Sequence, residues 1–156
     1  MKIYFASDHA GFELKSMLLP FVESLGHTVV DFGASDMDRE DDYPLFVEKA
    51  AIEVYKSPDD SRAIIIGGSG QGEAIVANRF PNVRATVYYG GNEEIIKLSR
   101  EHNDANVLSL GARFLTPDEA KKSVELWLKT PFSHASRHAR RLKEIDEMEE
   151  SLYKNP

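Results

Sequence analysis

The chain has 156 residues, 42% of them hydrophobic and 29% charged, with a net charge of −7. That is the size of one domain able to bury roughly 70% of its unfolded surface. The acidic balance argues against nucleic acid or another polyanion as partner, and the lack of cysteine excludes disulfides, thiolate metal sites and a cysteine nucleophile.

Lys2–Ala6 (KIYFA) reads as a strand. Gly11–Leu25 reads as a helix, with Leu14, Leu18 and Phe21 or Val22 on one face, and Pro20 is expected to kink it or end its first part. Thr28–Phe32 is a second strand, residues 33–42 an acidic loop, and Pro44–Tyr55 a helix. Ala63–Ile66 (AIII) is apolar at every position, as a parallel strand covered on both faces requires. A glycine-rich turn follows at Gly67–Gly72, then a short helix over Glu73–Phe80 and a fourth strand over Arg84–Tyr88. Asn92–Glu101 is a helix and Val107–Leu110 a fifth strand. Pro117 suits the first position of a helix over Asp118–Leu128. A last helix runs over about 136–152, and its stripe of Leu142, Ile145, Met148 and Leu152 needs a surface to cover, its own sheet or a partner subunit.

No stretch reaches the ~20 apolar residues of a membrane span. The segment after Met1-Lys2 has no signal-peptide pattern, so a cytoplasmic location is expected. Strands alternating with helices predict a single α/β domain over residues 1–156, with a parallel sheet and helices on both faces. Ligands of such sheets bind beyond the carboxyl ends of the strands. Ser7-Asp8-His9 follows the first strand and the glycine turn follows the third. His102-Asn103-Asp104 precedes the fifth strand and Arg113 follows it, so these polar groups are expected to gather at the mouth of the sheet.

Four glycines in the six residues Gly67–Gly72 let backbone N–H groups approach an anion, and the following helix start adds partial positive charge. A tight turn without a ligand would need the same glycines. The spacing is neither Gly-x-Gly-x-x-Gly nor a Walker A loop, so neither NAD nor ATP is indicated. Glu73 is either a charge partner for the helix start or a general base. Arg137 and Arg141, four apart on one helix face, either pair with Glu144 and Glu147 or clamp a phosphate. Asp8, His9, His102 and Asp104 match no known metal-ligand spacing, and no metal or cofactor is expected.

Six strings in register resemble one family: Ser7-Asp8-His9-Ala10-Gly11, Asp42-Tyr43-Pro44, Gly67-Gly68-Ser69-Gly70-Gln71-Gly72-Glu73, His102-Asn103-Asp104-Ala105-Asn106-Val107-Leu108, Gly111-Ala112-Arg113, and Arg137-His138 with Arg141. Over about residues 2–150 the chain resembles type B ribose-5-phosphate isomerase and the related galactose-6-phosphate isomerase subunits. The resemblance implies a three-layer α/β/α domain with a doubly wound, five-stranded parallel sheet. It implies a metal-free reaction and a homodimer or dimer of dimers with active sites at the subunit interface, reached by the C-terminal helix. Many members carry a catalytic cysteine just after the third strand, where this chain has Gly67; the match is to the subgroup whose base is the glutamate, here Glu73. Ser69 and the N–H groups of Gly68, Gly70 and Gly72 would then stabilise the enediolate, and His102 with Asp8 would open the sugar ring. His9, Arg113, Arg137 and Arg141 would hold the phosphate, and Tyr43 and Asn103 the sugar. Ribose 5-phosphate is the first expected substrate. A hexose 6-phosphate (allose or galactose) and a non-catalytic sugar-phosphate-binding module are the alternatives, together with one subunit of a hetero-oligomer.

Overall fold

The computed structural model describes residues 1–154; Asn155 and Pro156, the last two residues of the expected domain, lie outside them. Strands β1 (Lys2–Ser7), β2 (Thr28–Asp31), β3 (Ser61–Gly67), β4 (Ala85–Tyr88) and β5 (Val107–Gly111) form one sheet in the order β2-β1-β3-β5-β4. Every pairing is parallel, with Ser7 opposite Ile66 and Gly67 opposite Gly111. Helices α1 (Phe12–Ser24), α2 (Tyr43–Lys56), α3 (Gln71–Ala77) and α4 (Glu94–Glu101) connect the strands, and α5 (Pro117–Lys129) and α6 (Ser136–Lys154) follow β5.

The period-2 alternation of the central strands divides the core into two layers. Ile3, Phe5, Ile64, Ile66, Leu108 and Leu110 face α1, α4 and α5, packing on Leu18, Ile96, Val124 and Trp127. Tyr4, Ala6, Ala63, Ile65 and Val107 face α2 and α3, packing on Val47, Ala50, Val54 and Ala77. The continuous apolar run of β3 is therefore used on both faces, each buried isoleucine contributing about 2–3 kcal/mol of transfer free energy. The α/β/α layering matches the sequence expectation.

Helix α1 runs unbroken through Pro20 to Ser24, close to the expected span. The carbonyl that loses its N–H partner is that of Ser16, which is exposed like Pro20, so water can solvate it. Helix α3 stops at Ala77 rather than Phe80, because the Asn78 side chain leaves the helix to clasp the backbone of Ala85 on β4 (2.7 and 3.1 Å). No helix among the described residues is long and apolar enough to cross a membrane.

From β1 the chain passes to β2 on one side and later to β3 on the other, so the carboxyl ends of β1 and β3 flank the topological switch point. Helix α6 barely joins the core. Its Ile145, Met148 and Leu152 are 48, 61 and 73% exposed, and the Glu149 carboxylate accepts from the Asn82 N–H (3.2 Å).

Candidate active site

Asp8 directly follows β1 and is buried, because its Oδ1 accepts the N–H groups of Ala10 (3.0 Å) and Gly11 (3.3 Å) and caps the short turn that opens α1. Across the switch point, Glu73 lies in the first turn of α3, 4% exposed. Its carboxylate rests on the backbone of Gly67, and a Cβ at position 67 would overlap it. The glycine thus leaves room for a carboxylate where any other residue would put its own side chain. Burial pushes the Glu73 carboxyl above the ordinary carboxylate value; its own backbone N–H opposes the shift and the nearby Asp8 carboxylate adds to it.

Three contacts shape the glycine loop. Gly70 has φ +76°, a left-handed conformation that favours glycine, and its carbonyl accepts from Ser109 Oγ (2.6 Å), a hydroxyl fully buried within β5. The Arg113 guanidinium lies over Gly68, with Cζ 3.1 Å from an ideal Cβ there. The Tyr43 hydroxyl covers Gly72, 2.6 Å from the equivalent point. Ser69 is exposed at the tip of the loop, where its Oγ accepts from the Gln71 N–H (3.4 Å). His9 and Arg113 line a cleft of about 420 Å3 beside this loop. His9 Nδ1 is 2.6 Å from Asp41 Oδ1, and that hydrogen bond is the main cause raising its pKa above the ordinary histidine value.

The other expected site residues do not join them, which corrects the expectation that all the polar groups gather at one mouth. In a parallel sheet, the segment entering a strand lies at its amino end. His102 and Asn103 enter β5, whose first residue Val107 pairs with Ala63 at the amino half of β3. Five residues of strand, roughly 16 Å at about 3.3 Å each, separate that level from the carboxyl ends.

A second cluster forms at this far end. The His102 and His138 rings stack at 4.1 Å with 13° between planes. Arg137 Nε donates to His138 Nε2 (3.1 Å), and burial, followed by the charges of His102, Arg137 and Arg141, lowers the His138 pKa. Arg137 and Arg141 are exposed. Asn103 borders a groove of about 380 Å3 between α6 and the β4 edge.

Asp104, next in the chain to Asn103, ties the segment that enters β5 to two arginines. It has φ +44°, and its carboxylate joins Arg84 Nη2 (2.8 Å) and the buried Arg100 Nη1 (2.9 Å). Arg100 also donates to the carbonyls of Ala105 (2.6 Å) and Thr130 (3.2 Å). Replacing Asp104 by alanine leaves a buried guanidinium without its counter-ion. A loss of about 2–3 kcal/mol is expected, read as a lower urea midpoint at unchanged m-value.

Asp41 and Ser109 thus support the expected residues without having been named among them, and Asp104 and His138, named in the sequence strings without a role, do the same. Ser109 had a signal, as the one hydroxyl in an otherwise apolar strand; Asp41 had none that separates it from the other acids of its loop. Asp8, His9 and Asp41 also place one potential metal ligand each within 4.8 Å of one another. Asp8 Oδ1 and His9 Nδ1 are already committed to hydrogen bonds, which competes with a cation there.

A doubly wound parallel sheet with two carboxyl groups buried at its switch point, one of them raised in pKa, defines an α/β enzyme domain. The particular family follows from comparison with known proteins. The ribose/galactose isomerase family model matches residues 3–145, and the chain belongs to that family. Ribose-5-phosphate isomerase B of Mycolicibacterium paratuberculosis is 42% identical over 149 residues, covering 96% of this chain and 92% of the relative. The Escherichia coli protein of the same name is 36% identical, covering 96 and 97%. Among solved structures, Mycoplasma genitalium ribose-5-phosphate isomerase B with bound ribulose 5-phosphate superposes with a TM-score of 0.91 at 37% identity, covering 96% of each chain. The Clostridium thermocellum ribose-5-phosphate isomerase B does so with a TM-score of 0.89 at 42% identity, covering 97 and 99%.

Proposed function

We propose that this protein interconverts ribose 5-phosphate and ribulose 5-phosphate through an enediolate, with Glu73 as the base. The observation that carries this reading is the buried Glu73 carboxylate seated on Gly67 beside Asp8. Desolvation there raises its basicity toward the working pH, which suits a group that must take a carbon-bound proton and give it back.

In the open-chain aldose, Glu73 removes the proton from C2 and the electron pair moves through C1 to O1. The loop N–H groups of Gly68, Gly70 and Gly72, with Ser69 Oγ, stabilise the oxyanion; one such donor is worth about 3–4 kcal/mol. The proton on O2 passes to O1, and protonated Glu73 delivers its proton to C1, leaving the ketose carbonyl at C2. Tyr43 closes the loop side of the site, while His9 and Arg113 supply local positive charge in a chain of net charge −7. Ring opening by Asp8 and His102, sugar binding by Asn103, and phosphate binding by Arg137 and Arg141 require the far-end cluster of a second subunit. We therefore read the working unit as a homodimer, or a dimer of dimers, whose α6 helices reach the neighbouring copy.

Proton NMR of ribose 5-phosphate in D2O tests this. Loss of the aldose signals, growth of ketose signals and deuterium incorporation at C1 are the expected results. Turnover of allose 6-phosphate or galactose 6-phosphate alone would keep the reaction and change the sugar. A folded protein that binds these sugars but turns over none of them would instead be a binding module.

A further inference from the structure

Asp41 stands outside the reaction scheme, yet it governs a residue inside it. Its Oδ1 accepts the His9 backbone N–H (3.1 Å) and lies 2.6 Å from His9 Nδ1, so one carboxylate oxygen holds both the main chain and the ring of that histidine. The Asp41 side chain is 10% exposed, and its Oδ2 is buried with no hydrogen-bond partner. An unpartnered buried carboxylate oxygen costs stability, and a plain loop tether would not require it. A carboxylate oxygen beside Nδ1 makes Nδ1 the donor, which leaves Nε2 as the free ring nitrogen. The ring lines the cleft that also holds Arg113.

We propose that Asp41 is a positioning residue for the isomerisation: it fixes the rotamer of His9 by holding Nδ1–H to itself, so that the protonated ring points its Nε2–H, beside Arg113, at the phosphate of the substrate. This rests on the sugar-phosphate reading of the site.

The charges around the ring support it. The Asp41 hydrogen bond is the largest cause raising the His9 pKa; the Asp8 and Asp41 charges add, while burial and Arg113 oppose. Glu13 of α1 and Arg39 of the loop before α2 line the same cleft and complete the charged groups facing it. Below the raised value, His9 carries a positive charge and an N–H on each nitrogen, both suited to a phosphate dianion. As pH rises through that value the charge is lost, and phosphate affinity falls with it. Removing the Asp41 charge moves this fall to lower pH.

Long-range proton–nitrogen NMR of the His9 ring on the full chain tests the proposal, alongside inorganic phosphate titration and steady-state kinetics of the wild type, Asp41→Asn and Asp41→Glu. In the wild type, the His9 midpoint is expected above 6.5, its ordinary value, with the neutral form protonated on Nδ1. Asp41→Asn should lower the midpoint and mix the tautomers. It should weaken inorganic phosphate and raise KM, each about tenfold, with the larger part of the kcat/KM loss in KM. Asp41→Glu should recover part of each change. A wild-type His9 that titrates at or below 6.5 as the Nε2–H tautomer overturns the inference without any variant. So does a folded Asp41→Asn protein with wild-type midpoint and phosphate affinity. If instead the wild type shows the expected ring state but neither binds inorganic phosphate nor turns over ribose 5-phosphate, the sugar-phosphate reading fails, and the phosphate role of His9 with it.

Discussion

Glu73→Gln is expected to lower kcat for ribose 5-phosphate by about 10³-fold, within the range a lost general base produces, and to abolish deuterium incorporation at C1. KM should change little, because the amide keeps the shape that rests on Gly67. A variant retaining wild-type kcat would show that another group moves the proton. The pH profile carries the same information. The base must be ionised, so wild-type activity falls as pH falls through the Glu73 value, which lies above the ordinary carboxylate range because the group is buried. The same shift has a sign for stability. A carboxyl with a folded-state pKa above its unfolded value binds its proton more tightly when folded, so its contribution to stability declines as pH rises from the unfolded to the folded value. At neutral pH the buried charge is therefore destabilising, and Glu73→Gln is expected to raise Tm while removing activity. A fall in both would point to a structural role for the carboxylate.

The sheet and its layers were legible in the sequence because β3 is apolar on both faces and the strand–helix alternation has few other solutions. The span of α1 was legible through Pro20, because a proline is tolerated inside a helix when the carbonyl it orphans faces water. The glycine loop and Glu73 were legible as neighbours in the chain, with the loop and the start of α3 bringing them together over six residues. The far-end cluster was misplaced for a geometric reason. Closeness to a strand in sequence does not say which end of the strand a residue occupies, and His102 enters β5 whereas Asp8 leaves β1. The strand order likewise depends on which crossover skips a position: β4 takes the sheet edge and β5 fills the gap beside β3. Asp41 lay in a run of acids, and only the folded loop selects the one that meets His9.

The strongest consequence of the divided site concerns mixtures of inactive proteins. Glu73 and Asp8 stand at the carboxyl ends of the strands, and His102, Arg137 and Arg141 at the amino ends, so no single copy can present both groups to one sugar phosphate. A two-fold dimer solves this if each site takes its base from one subunit and its cationic cluster from the other, and the exposed Ile145, Met148 and Leu152 of α6 offer an apolar surface for that contact. Glu73→Gln damages one half of the site and Arg137→Ala the other. In a mixed dimer, one site collects both lesions and the other collects none. Equal amounts of the two variants, dissociated and reassembled at random, place half of the chains in mixed dimers, so about a quarter of wild-type activity is expected from two inactive preparations. The regained activity should keep the wild-type KM, because each restored site is fully wild type. Mixing without subunit exchange should restore nothing. Reassembled mixed dimers, verified by mass, that remain inactive would mean that no site combines the base of one subunit with the arginines of the other, and the composite site would be ruled out.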